Sequence, residues 1–446
     1  MKRFKTRRTT LLLELAGIFL ITESLALALP VPVQIQKFQE SLQSPQKVRV
    51  RLVEAIAKAE VRGFDLSLFQ QGRGQNRQLA VAADRMSQWE FQCSRGRVRA
   101  VAISARSKNK VFDLQEPVSI HTPAGFLSFG GRPYRDELHI YSKGSSCEVI
   151  NEVELEKYLD GLVNSEFSAR WNEEAIAAQI IAARTYAYYQ MLQMRKRGQH
   201  YDVDATVKDQ VYDGSIREDF RSSRAVERSR GLVLTFGPVD HSAPIKAFYH
   251  STCGGQTELP ENVWGNPFTG FKRPVHCPFC NQSPVYSWDI SMRGNEIGQA
   301  LLKGARRGNG FPGWPKNWEQ TLQKGQLLDF RISRLTPQGR VLQLKTLWAD
   351  GPKVVELSIS GSRFREWIGA TRLKSAVFQA SAEWAGKRVA GVAKPGNGRE
   401  WRFRGRGNGH GVGMCQWGAK VMGEKGFTMS AILKHYYPDA ILRRLW

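Results

Sequence analysis

Residues 163–189, VNSEFSARWNEEAIAAQIIAARTYAYY, decide how the chain is read. Asn172 is placed to cap a helix, and Glu173 and Glu174 fall in its first turn, where the dipole favours acid. Trp171 and Ile176 stand at the two positions of a hydrophobic staple. Apolar residues then recur at Ile176, Ile180, Ala183, Ala187 and Met191, one stripe of an amphipathic helix. Lys196, Arg197 and Gly198 supply the stop signal. The spacing predicts an inward-packed helix preceded by a short loop that carries Glu166 among Phe167 and Trp171. A carboxyl in aromatic company is the arrangement that raises a pKa and makes a general acid. On local chemistry alone a solvated or capping glutamate is the more ordinary reading, so other stretches must carry the functional one.

Working outward, alternation at Val48, Val50 and Leu52 and again at Phe64, Leu66 and Leu68 predicts strands. Short strands also fit 98–104, 117–120, 138–141 and 148–153, separated by glycine-containing turns. The expected class is α+β, with two lobes of mixed sheet and helix around a substrate cleft, Glu166 at its floor and a structural zinc knot in one wall. Residues 29–46 read as a linker, 47–285 as the first part of a catalytic lobe, and 286–400 as a second, mostly β lobe. Residues 401–446 return to complete the catalytic lobe with a glycine-rich motif and a last helix.

At 446 residues, 41% hydrophobic and 24% charged, the chain is globular in composition. Its charge is unusual: 65 Lys+Arg against 41 Asp+Glu gives +24, a surface that expects a polyanion. No zinc-finger helix, RNP-type motif or basic tail favours nucleic acid, and the excess is spread along the chain. Lys2, Arg3, Lys5, Arg7 and Arg8 precede an apolar run that ends in Ala26-Leu27-Ala28. Residues 1–28 therefore read as a signal peptide or a retained N-terminal anchor, which makes the chain an exported protein of the periplasm or cell envelope. Its acidic partner is then an envelope polymer.

Among the cysteines, His250-x2-Cys253 followed by Cys277-x2-Cys280 has the ligand types and spacing of a tetrahedral Cys3His zinc site, with His276 a competing fourth ligand. Disulfide bonding is the alternative in an exported chain. Four protein ligands leave no open position, so such a zinc is structural. Cys93 and Cys147 can pair with each other, and Cys415 is left over as a buried thiol or an additional metal candidate. In GRGNGHGVGM, residues 405–414, glycine at every second position leaves one face of an extended segment bare, open to close approach by a backbone or ligand. His410 beside that face is a candidate substrate contact or a satisfied structural histidine. Asp209, Gln210 and Tyr212 lie in a turn-rich segment with the composition of a sugar-contacting loop or of turn residues facing water.

Four motifs together resemble one family. They are Asn151-Glu152-Val153 running to Tyr158-Leu159 and Ser165-Glu166, and Ala178-Gln179 with Ala183-Arg184-Thr185-Tyr186-Ala187. The others are Ser251-Thr252-Cys253-Gly254-Gly255 with Thr257-Glu258 and Trp264, and the run from Gly409 through His410 to Gln416-Trp417-Gly418-Ala419. In order and content they resemble the stage II sporulation protein D family of peptidoglycan lytic transglycosylases, over about residues 47–446. The resemblance implies cleavage of the β-1,4 bond between N-acetylmuramic acid and N-acetylglucosamine in peptide-stripped strands. It implies a 1,6-anhydro muramyl product, Glu166 as catalytic acid and base, and zinc held near His250 and Cys253. His410, Gln210, Tyr212, Asp209 and Gln416 are the expected substrate contacts, and glycan strands and a peptide-stripping amidase the expected partners. The alternative it carries is a non-enzymatic wall-binding module that enhances an amidase.

Overall fold

Alternating apolar residues between Lys47 and Glu154 supply most of two sheets, antiparallel but for one short parallel edge strand, whose residues share one core. The computed structural model describes residues 46–71, 76–81, 86–103, 109–238, 242–308, 310–384 and 399–446. The expected segment 1–28 and all of the linker but Gln46 lie outside these residues. Among the described residues no helix is long and apolar enough to cross a membrane.

The first sheet has seven strands, in the order Val203–Asp204, Lys47–Ile56, Ser146–Glu154, Glu137–Lys143, Val118–His121, Ser67–Gln71 and Asn76–Val81. The second has six, ordered Arg132–Arg135, Phe126–Phe129, Ala59–Phe64, Met86–Ser94, Arg97–Ile103 and Lys110–Gln115. Strand Lys47–Ile56 turns Val48 and Val50 inward, as a half-buried strand must. They join Val61, Trp89, Phe91, Val98, Ile140 and Val149 in a single cluster. A disulfide between Cys93 and Cys147 ties one sheet to the other.

Two helices follow without a break in the chain. The short one, Leu155–Glu166, continues directly from the last strand of the first sheet and buries Tyr158, Leu159, Leu162 and Val163. The long one, Glu173–Lys196, starts where the sequence indicates, with the Asn172 side chain accepting from the Glu174 N–H. Its expected stripe, Ile176, Ile180, Ala183, Ala187 and Met191, packs on the sheet core. The opposite face is equally buried: Ala178, Ile181 and Ala182 enter a second core with Leu234, Ile245, Met414, Met422 and Leu433. The helix is thus a central spine between two cores, apolar all round rather than amphipathic. Arg184 lies on it with no exposure and is paired to Glu156 of the short helix at 2.6 Å.

Residues 287–406 form their own core around Trp348, Phe364, Trp401 and Phe403. It is enclosed by two three-stranded sheets and the helices Gly294–Arg306, Trp318–Lys324 and Gly361–Ile368. Strand Arg399–Arg406 belongs to this part, between Ser287–Arg293 and Phe378–Trp384. Beyond it the chain returns to the first part, where Met414–Cys415 pairs in parallel with Tyr249–His250. The architecture is a mixed α+β one.

Candidate functional site

Glu166 is the last residue of the short helix, not part of a loop before the long one. The helix persists because Tyr158, Leu162 and Glu166, four residues apart, share a face whose apolar members are buried. At the helix end the Phe167 N–H closes on the Val163 carbonyl, and Asn164 ties the next turn down by accepting from the Ala169 N–H. Glu166 is half-buried, and its Oε1 accepts one bond, from the Val211 N–H at 2.6 Å. Burial pushes its carboxyl up to about 7, against the pull of that N–H. A carboxylate at the negative end of a helix is further disfavoured. Among the described residues no cation offsets these effects.

The surroundings are hydroxyls that stay protonated. Burial raises the phenols of Tyr158, Tyr186 and Tyr249, and a charge on Glu166 adds to each rise. Tyr158 donates to Gln210 Oε1 at 2.9 Å, and Gln210 Nε2 donates to Tyr249 Oη at 3.0 Å and the Ala183 backbone carbonyl at 3.3 Å. Tyr186 donates to Asp209 at 2.6 Å, which also accepts from Gln190 and the Asp204 N–H. Asp209 is half-buried, whereas Gln210 has no exposure and Tyr212 has 2%. The Tyr212 hydroxyl donates to Asn151 Oδ1 at 3.1 Å. Both Gln210 and Tyr212 therefore sit in the wall behind the acid instead of on a surface that a sugar can touch. The segment carrying them lies close because Gly161 has no Cβ; one there would stand 2.4 Å from the Gly214 carbonyl.

The glycine-rich segment departs from its expected extended form. Gly409 has φ +110° and a Cβ there would meet the His250 side chain at 2.9 Å; Gly413 has φ +70° and one would meet the Phe248 carbonyl at 2.0 Å. The bare face is filled by this protein's own backbone: Asn408 and Thr252 exchange both N–H···O bonds. His410 is half-buried, with Nδ1 accepting from the Val412 N–H at 3.1 Å. Its ring lies 5.2 Å from that of Trp264 and 5.9 Å from that of Phe248, centre to centre. Burial holds it well below the usual histidine value, so it is neutral. Arg340, buried in the second part, donates to the His410 carbonyl and faces Glu258 at 3.6 Å. Gln416 opens the helix Gln416–Glu424 and is 7% exposed.

The expected Cys3His set is corrected to four cysteines. The Sγ atoms of Cys253, Cys277, Cys280 and Cys415 all lie within 4.8 Å of one another, and all four residues are buried. Parallel pairing of Tyr249–His250 with Met414–Cys415 is the cause, since it delivers Cys415 to Cys253 across 162 residues of chain. His250 turns away, its Nδ1 bonded to the Val412 carbonyl at 3.0 Å, and His276 is exposed. Four thiolates at about 2.3 Å from a tetrahedral ion lie about 3.8 Å apart, so the set fits a metal. Cys415 Sγ accepts from the N–H groups of Cys253 and Gly418 at 3.3 and 3.4 Å, the outer bonds that hold a ligating thiolate. Hydrogen bonding to Cys277 and Cys280 pushes the Cys253 thiol up and burial does the same to Cys415, while the same sharing between sulfurs pulls Cys277 and Cys280 down.

Two cavities are formed elsewhere. One of about 330 Å³ lies between Gly254, Gly255 and Glu258 and the second part's Gln338, Arg340 and Arg406. Another of about 690 Å³ is walled by Arg51, Tyr141, Glu148, His200 and Tyr201. Glu166 lines neither, so it is not at the floor of the cavity between the two parts. Phe167, the next residue in the chain, begins a half-buried aromatic row, with Phe167 and Trp171 at 5.9 Å and Trp171 and Trp417 at 5.7 Å. Nothing in the sequence singles out Val211 or Tyr249; Tyr158, quoted above within a motif, carries as its signal a spacing of eight residues from Glu166 along one helix.

The family profile for SpoIID, stage II sporulation protein, matches residues 143–236, which include Glu166, the long helix and Asp209. An uncharacterised protein of Brachyspira hyodysenteriae is 29% identical over 332 residues, covering 74% of this chain and 77% of that one. Stage II sporulation protein D of Bacillus subtilis is 28% identical over 303 residues, covering 65% and 74%. The amidase enhancer of the same organism is 28% identical over 308 residues, covering 64% of this chain and 40% of its own length.

Proposed function

The chain belongs to the stage II sporulation protein D family, and from that premise we propose that it is a peptidoglycan lytic transglycosylase of the cell envelope. The observation that carries this reading is a single carboxyl, Glu166, pushed to about 7 by burial with no cation among the described residues to offset it. Hydrolysis of a glycoside ordinarily needs two free carboxylates. The other acid near the same tyrosines, Asp209, is engaged by Tyr186, Gln190 and the Asp204 N–H. A lytic reaction needs only one. Protonated Glu166 gives its proton to the glycosidic oxygen as the bond from muramyl C1 to that oxygen breaks. The resulting carboxylate takes the proton of the same sugar's 6-hydroxyl as that oxygen bonds to C1, which closes the 1,6-anhydro ring and restores the acid. The neutral phenols around Glu166 do not compete for either proton.

The four cysteines are assigned a structural zinc, which supplies a cross-link and no open coordination site. The disulfide between Cys93 and Cys147 suits an oxidising compartment, where four neighbouring thiols persist when a metal holds them. Export through residues 1–28 and the +24 charge suit work on an acidic wall polymer. Glycan strands stripped by an amidase are the substrate this reading assigns. The test is purified protein with stripped strands and products weighed by mass spectrometry. Anhydro ends that disappear in Glu166→Gln support it. The similarity to the amidase enhancer favours one rival, a wall-binding protein without activity; strands left intact by the unmutated protein support that one.

A further inference from the structure

Lys246 is a charged group that the reaction above does not use. Its Nζ stands among four rings, 5.2 Å from the centre of Tyr186, 5.3 Å from Phe248, 5.6 Å from Phe268 and 6.0 Å from Tyr189. Among the described residues no carboxylate pairs with it. Asp209 is close enough to favour its charge, yet it already serves Tyr186 and Gln190. Half-buried and facing rings, the ammonium has lost water without gaining an anion, and burial accordingly lowers its pKa. The cage is continuous with the site on both sides. Tyr186 feels the charge of Glu166, and the Phe248 ring stacks at 4.4 Å on Trp264, which is 43% exposed and leans on His410. An acid, a stacking surface for a sugar ring and an unmatched cation therefore share one neighbourhood.

We propose that Lys246 is a specificity-determining residue that binds the carboxylate of an acidic sugar held over Trp264. The inference rests on the glycan reading above. In a muramyl residue the lactyl group ends in an amide while a peptide is attached and in a carboxylate once it is removed. A cation that no carboxylate pairs with among the described residues distinguishes the two, because only the ligand's carboxylate supplies the missing charge. Lys246 thus makes removal of the peptide a condition of tight binding.

The experiment measures binding alone, in the full chain carrying Glu166→Gln so that nothing is cleaved. The probes are a peptide-stripped tetrasaccharide of the strand and the same molecule with its lactyl carboxylates converted to methylamides. The carboxylate form is expected to bind about tenfold tighter, the size of one charge-assisted contact. Lys246→Met should bring the two within about twofold, and Lys246→Arg should restore the preference. A second readout needs no substitution at Lys246: its reductive methylation, followed by mass spectrometry, should be slowed by the carboxylate probe and not by the amide. Equal affinities for the two probes, or a preference that survives Lys246→Met, overturn the proposal. A Lys246-dependent preference in a protein that makes no anhydro ends retains this subsite and removes the lytic reading; anhydro ends with no such preference do the reverse.

Discussion

The two ends of the helix Leu155–Glu166 each carry a glutamate screened from water, and the two are built for opposite purposes. Glu156, in the first turn, is surrounded by donors: Arg184 Nε and Nη2 at 3.1 and 2.6 Å, the Gly231 N–H at 3.3 Å and Trp446 Nε1 at 3.1 Å. Glu166, in the last turn, accepts from the Val211 N–H, and the phenols of Tyr158, Tyr186 and Tyr249 are near enough to feel its charge. The first also sits at the helix end that favours negative charge, the second at the end that opposes it. Burial alone therefore does not make an acid a proton donor. The number and charge of its partners decide, and here they make one glutamate a brace and leave the other protonated near neutrality.

The most forceful way to break this contrast is to remove the frame on the Glu166 side. The cysteine cluster fixes Cys253 and Cys415, hence the strand pair that carries Tyr249 and the approach of Trp417 to Trp171. Structural zinc in small domains is worth about 10–16 kcal/mol. The proposed zinc should assay at one ion per chain, and chelation, or Cys277→Ser, should remove it and abolish amide protection at 249–253 and 414–422. Protection at 47–56 and 146–154 should survive, and hydrogen exchange reads both. Next in size, Glu166→Gln should cut the rate of anhydro formation by about 10³-fold with the fold intact, since one positioned acid contributes about 10²–10⁴. Glu156→Gln should do the converse. It strips the charge facing a fully buried Arg184 and costs about 3–5 kcal/mol in a denaturant melt, with little change in rate per folded molecule.

A smaller effect sharpens the same comparison through pH. The folded pKa of Glu166 is raised from 4.5 to about 7, so protonation favours the fold. Below the unfolded value the residue costs nothing. As pH rises from about 4.5 to 7 the unfolded chain ionises while the folded chain does not, and the penalty reaches about 3 kcal/mol above 7. Glu166→Gln should thus be more stable than the parent above pH 7 and equal to it near pH 4, as thermal melts at the two pH values would read.

Much of this frame was legible in the sequence. Asn172 as cap, the stripe on Ile176 to Met191, and the alternating strands from Val48 onward follow local rules that the fold obeys. What was hidden depends on contacts across the chain. The short helix was missed because Gly161, Asn164 and Ser165 are weak helix formers, while the burial of Tyr158 and Leu162 that sustains it is tertiary. The alternating glycines were read as a strand because spacing does not report the sign of φ. Their positive φ accommodates the segment's own neighbours, Phe248 and His250. Cys415 stands 135 residues after Cys280, beyond any spacing rule, and joined the thiols only through strand pairing. His250, at the right spacing, was drawn off by the Val412 carbonyl.

The source of the attacking oxygen, the sugar or the solvent, decides whether Glu166 serves both halves of the step. Digestion of peptide-stripped strands in water enriched in oxygen-18, with the new ends weighed, reads this directly. We expect anhydro ends carrying no label, and none at all from Glu166→Gln. Labelled, hydrated reducing ends would mean that water attacks and that a second carboxylate activates it, and a lone acid would no longer explain the chemistry.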